Sequence, residues 1–112
     1  MARTEISFFT TGNRSVEGGA MPVPRFADLV TEVLDSSGTS VATSTASSQA
    51  AGYGFARIVA AADIWVAAGP SPTAAVPSPG TVGAGLRVRA GIATDLALAN
   101  GDRVAIINAT AL

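Results

Sequence analysis

Apolar residues recur at alternate positions through much of this chain, in short runs broken by Gly, Pro, Ser and Thr. Residues 4–9 (TEISFF) predict a strand with Ile6 and Phe8 on one face. Phe8 and Phe9 are adjacent, so on a strand they point to opposite faces. One can enter the core, and an arm or a neighbouring subunit is expected to cover the other. Residues 55–61 and 63–68 predict two more strands, with Ile64 and Val66 on one side and Trp65 on the other. Leu86, Val88 and Ala90 alternate with Arg87 and Arg89, the clearest one-side-in pattern in the chain. Leu96 and Leu98 alternate likewise. Asn100-Gly101 then gives a strong hairpin signal into a last strand at 103–108.

Other segments break the alternation. Residues 10–25 hold three Gly and two Pro, which predicts an irregular segment, expected as an arm lying across a neighbouring subunit. Residues 69–83 hold four of the six prolines and predict an extended loop of polyproline character. Pattern alone leaves residues 26–34 open between helix and strand. Phe26, Leu29, Val30, Val33 and Leu34 fit helical spacing, yet the run is short and a polar stretch follows at once. Nine of the thirteen residues at 36–48 are Ser or Thr, which predicts a loop or a weak edge strand. Seven or eight short strands between such turns predict one all-β domain, a β-sandwich or a small jelly-roll-like barrel.

Composition narrows the function classes. The chain has no His, no Cys and, with seven Arg supplying all its basic side chains, no Lys. Ser-His-Asp and Cys-His nucleophile pairs, Schiff bases and the usual zinc, haem and iron–sulfur ligand sets are therefore excluded. Much of the 48% apolar content is alanine, which buries little area per residue. A small core without disulfide or metal predicts that contacts with other subunits complete the stability. A net charge of −1 with scattered Arg argues against nucleic acid as partner. The N-terminus shows no secretory pattern and no apolar run is long enough to span a membrane, so a soluble chain made in a cytoplasm is expected.

The remaining candidate chemistry is sparse. Asp63, Asp95 and Asp102 are the acids of the regular half, and two carboxylates can in principle hydrolyse a glycoside. Each has a simpler explanation at a turn or strand end, Asp102 above all beside Asn100-Gly101. Gly83-Ala84-Gly85 lacks the third Gly and the following helix of a dinucleotide loop. Trp65 is the one tryptophan, placed before the proline loop as a core cap, an interface anchor or a sugar platform.

Residues 57–74 (RIVAAADIWVAAGPSPTA) and 96–106 (LALANGDRVAI), with the Ser/Thr-Ala tract before Gly52, resemble small structural proteins of tailed-phage virions. The resemblance covers roughly residues 28–108. It implies an all-β fold, and it turns 29–34 into an expected strand. It further implies a non-enzymatic capsid decoration or cement protein without cofactor, on the outer capsid surface. The major capsid protein would be its partner, and copies of itself would assemble with it, a trimer being favoured. Residues 1–28 would form the first strand and an extended arm, and residues 29–112 the β-domain. Contact candidates are Phe8, Phe9, Arg14, Met21, Arg25, Phe26, Trp65, Pro70, Pro72, Pro77 and Pro79. The alternative expectation is a carbohydrate- or receptor-binding module of a phage fibre, with Trp65 as an open aromatic platform.

Overall fold

The computed structural model describes residues 2–9, 11–13, 20–24, 29–48, 54–80, 83 and 85–109. They form ten strands and no helix: β1 (Ala2–Phe9), β2 (Thr11–Asn13), β3 (Ala20–Pro24), β4 (Val30–Ser36), β5 (Val41–Ala42), β6 (Phe55–Ala60), β7 (Ile64–Gly69), β8 (Leu86–Val88), β9 (Thr94–Ala97) and β10 (Arg103–Asn108). Eight of them make two antiparallel four-stranded sheets, ordered β4-β1-β6-β9 and β5-β10-β7-β8. The result is an open sandwich and not a closed barrel. Among the described residues, β2 and β3 pair only with each other.

Alternation explains which residues meet between the layers. Ile6 and Phe8 of β1 and Ala56, Ile58 and Ala60 of β6 face inward from the first sheet. Ile64, Val66, Val88, Val104 and Ile106 face them from the second. In the register Phe8 stands beside Ala56 and Ile6 beside Ile58, so a large ring borrows the space left by a small neighbour. Each fully buried Ile, Val or Phe contributes about 1.5–3 kcal/mol by burial, and these few side chains supply most of the core. Leu86 shares the face of Val88 but lies at the rim of an edge strand, 45% exposed, and Ala90 is an exposed turn residue. The in-out pattern at 86–90 therefore buries one apolar residue and not three.

Residues 10–25, expected to be irregular, contain the β2–β3 ribbon, with Thr11 paired to Pro24 and Asn13 to Ala20. Pro is excluded from strands bonded on both sides, and a two-stranded ribbon has only edges, so Pro22 and Pro24 are compatible with it. Residues 30–36 are a strand, as the resemblance implies, and β5 is the weak edge strand expected within the Ser/Thr tract.

Asn100-Gly101 departs from the hairpin expected of it. The turn forms, with Asp102 N–H donating to the Ala99 carbonyl at 3.1 Å. However, β9 belongs to the first sheet and β10 to the second. Gly101 has φ +90° and, among the described residues, no non-Gly residue has positive φ, so Asn100 does not take the type I′ geometry that pairs two strands. The turn is instead an arch between layers. From β4 onward the chain changes layer at every step except β7 to β8.

Candidate functional site

Two regions lie outside the two four-stranded sheets: the β2–β3 ribbon between β1 and β4, and the proline loop between β7 and β8. β1 and β4 are direct neighbours, with Phe8 paired to Val30, so a tight turn would suffice to join them. Between them in sequence lie β2 and β3, which belong to neither four-stranded sheet.

The proline loop folds back over the outer face of the second sheet. Ala67, Ala105 and Ala42 stand side by side across β7, β10 and β5, a row of small residues that lets a backbone approach. Ala74 is buried, and its N–H donates to Ser40 Oγ at 2.9 Å, just before β5. The loop thus reaches across β10, and Ala105 beneath is fully buried. On its return the chain passes over Trp65: a Cβ on Gly85 would meet Trp65 Cε3 at 3.5 Å and the Val66 carbonyl at 3.4 Å. Thr73, Ala75, Pro77, Gly83 and Gly85 enclose a cleft of about 90 Å³ above Ala67.

The contact candidates divide accordingly. Phe8 is fully buried between the layers and offers a partner no surface. Phe9 is 3% exposed on the outer face of the first sheet, stacked on Phe55 with ring centroids 5.7 Å apart and the Arg57 guanidinium at 5.7 Å. Part of the cover expected of an arm or a neighbour therefore comes from the cross-strand residues of β6. Both Phe residues are unavailable as exposed anchors. Trp65 is half-buried, and its shielded indole N–H finds no acceptor among the described residues. An open sugar platform would need the reverse. Pro70 and Pro79 are exposed, Pro72 and Pro77 half-buried, with Pro77 in the wall of the cleft. Met21 lies in β3. Arg14, Arg25 and Phe26 lie outside the described residues.

The acids hold the frame. Asp63, in the β6–β7 turn, accepts Arg87 Nη2 at 2.7 Å and Ala90 N–H at 2.8 Å, and these bonds hold its carboxyl below the usual carboxylate range. Asp95 takes both Nε and Nη2 of Arg57, at 2.7 and 3.0 Å, and is likewise lowered by that pair. Asp102 accepts the Ala99 N–H at 3.0 Å, the turn-holding role expected from its position. Among the described residues no three acids gather as a metal site would require.

Glu32 of β4 belongs to no motif in the sequence. It lies on the inward face of β4, between Val30 and Leu34, where a carboxylate is out of place. Burial raises its carboxyl, but the Ser44 and Thr45 amides, both at 3.0 Å, and the hydroxyls of those residues outweigh this and lower it. A charged residue in an inward phase, with a hydroxyl-rich tract downstream, was the available signal. Comparison with protein-family models, with characterised proteins and with solved structures finds no match to this chain.

Proposed function

We propose that this chain is a non-enzymatic structural protein of a tailed-phage virion, a decoration or cement protein that binds the outer surface of the capsid lattice. The observation that carries this proposal is the β2–β3 ribbon, a long excursion between two strands that a tight turn could join. An isolated two-stranded ribbon is marginal in water and gains stability from something to lie against. The resemblance of residues 57–74 and 96–106 to small virion proteins supplies the class of partner, the major capsid protein. The Ala-rich core and the shortage of stabilising cross-links favour self-association as well, with a trimer as the proposed assembly. On a lattice, weak contacts repeated over many copies add to tight retention.

The decisive experiment alters the ribbon and spares β1. Deleting residues 1–25 would remove Ile6 and Phe8 from the centre of the first sheet and unfold the domain. Replacing residues 11–24 with a short Gly-Ser linker preserves β1, because Phe8 and Val30 are already paired. The variant is expected to fold, by its circular dichroism and urea transition, yet to lose occupancy on purified capsids. Undiminished occupancy would refute the ribbon's role. Mass spectrometry of virions should find hundreds of copies per particle; a few copies would point to a fibre instead.

A further inference from the structure

The partner of the Asn100-Gly101 arch is a serine far away in sequence. Ser47 is 2% exposed and turns every polar group it has toward the arch. Its N–H donates to the Asp102 carbonyl at 2.7 Å, and its carbonyl accepts the Gly101 N–H at 2.8 Å. Its hydroxyl accepts the Asp102 N–H at 3.0 Å and donates to the Ala99 carbonyl. Asn100 itself is exposed at the tip.

An Asn followed by Gly is the pair most prone to spontaneous deamidation, because no Cβ hinders the following backbone nitrogen. That nitrogen attacks the Asn side-chain carbon. The new C–N bond closes a five-membered imide, and the amide nitrogen leaves as ammonia, taking up the proton that the backbone nitrogen gave up. Water then opens the ring on either side, leaving aspartate or isoaspartate. Here the attacking atom would be the Gly101 nitrogen, whose proton is held by the Ser47 carbonyl. While that bond stands, the nitrogen can neither lose its proton easily nor swing toward the Asn100 side chain.

We infer that Asn100 is a latent deamidation site, closed by Ser47 in the native fold and opened whenever the segment around residue 47 lifts from the arch. The reaction needs only water. Its product adds a negative charge two residues from the Asp102 carboxylate. The isoaspartyl form also lengthens the backbone within the arch that joins the two layers. A chain that has opened and reacted is marked irreversibly, and in the isoaspartyl form its lengthened arch cannot regain the original bonds.

Peptide mapping by mass spectrometry, at mildly alkaline pH, reads the reaction as a one-dalton gain on the peptide that contains Asn100. The full chain in concentrated urea should react at least about tenfold faster than the native protein, the factor set by opening roughly one hydrogen-bonded contact. Equal rates in the two conditions would overturn the inference. Ser47→Ala removes both hydroxyl bonds and should react several-fold faster than wild type in native buffer, with the same rate in urea. A folded Ser47→Ala protein that reacts as slowly as wild type would overturn the hydroxyl's part in holding the gate, because the residue-47 carbonyl is retained. Should that variant not fold, hydrogen exchange at the Gly101 amide of the wild type decides. Slow exchange supports the gate, and exchange at the unfolded-peptide rate overturns it.

Discussion

Glu32 and Ser44 belong to strands of different sheets, or their direct continuation, and they meet across one open side of the sandwich. The Ser44 N–H donates to Glu32 Oε2 at 3.0 Å, and Thr45 N–H donates to Oε1 at the same distance. One side chain thereby clips the chain after β5 to the edge of the first sheet.

Glu32→Gln should loosen that clip. The amide presents an –NH2 where the carboxylate presented an acceptor, so one of the two backbone donors loses its partner. A cost of about 1 kcal/mol is expected, below the usual range for a bond to a charged group because the site is partly solvated. Urea denaturation should show a lower midpoint at unchanged slope. An unaltered midpoint would refute the clip.

Acid should weaken the fold through the same group and two others. Glu32, Asp63 and Asp95 all have carboxyls lowered in the folded state. A group lowered on folding adds stability above its unfolded value and loses it as pH falls through the folded one. The urea midpoint should therefore be level from pH 7 to about 5 and fall below about pH 4. Glu32→Gln should show a shallower fall than wild type. A midpoint that holds constant down to pH 3 would contradict all three assignments.

Phe8 and Phe9 should separate sharply under mutation. Phe8→Ala opens a cavity among Ile6, Ala56 and Ile58 and should cost about 3–5 kcal/mol, enough to unfold a domain this small. Phe9→Ala removes the stack on Phe55, worth about 0.5–1.5 kcal/mol beyond its buried area, and should leave a folded protein. Circular dichroism and thermal melts distinguish the two.

Thr4 offers a stabilising change. It is fully buried, and its hydroxyl finds no partner among the described residues. Thr4→Val keeps the shape and removes the unsatisfied group, so a gain of about 1 kcal/mol is expected. A loss of stability would reveal a partner for the hydroxyl.

The Arg57–Asp95 pair should matter little and depend on salt. Both side chains are substantially exposed, at 36% and 47%. Asp95→Ala should cost about 0.3–1 kcal/mol at low ionic strength and less at 1 M salt, as screening predicts. A large, salt-independent loss would indicate another role.

Strand identity was legible wherever one face is buried and the other wet, as in β1, β6 and β7, because a period of two is the direct imprint of that environment. Pairing was not. Asn100-Gly101 carries the same residues whether it closes a hairpin or an arch, and the difference is the sign of φ at Asn100, in an arch bonded to the sequence-distant Ser47. Leu86 and Val88 look alike in sequence, yet one is at the rim and the other inside, since position along a short edge strand decides burial. The polar clips of Glu32 and Ser47 were hidden because each joins residues distant in sequence, and alternation records only local phase. At the candidate contacts, periodicity showed that Phe8 and Phe9 oppose each other but not that Phe55 and Arg57 stand beside Phe9.

The order of the second sheet bears on how the protein emerges during synthesis. β5 and β7 meet only through β10, so this layer has no centre until residue 108 is available. The first layer holds all its strands once residue 97 is out, while the second still lacks Val104 and Ile106 of β10, so the face of Ile6, Phe8 and Ile58 is covered only in part. A nascent chain of that length would carry a partly uncovered apolar sheet, the kind of intermediate that recruits chaperones or aggregates. Stalling translation between residues 97 and 108 should therefore yield chains that bind trigger-type holdases, and releasing the last strand should free them.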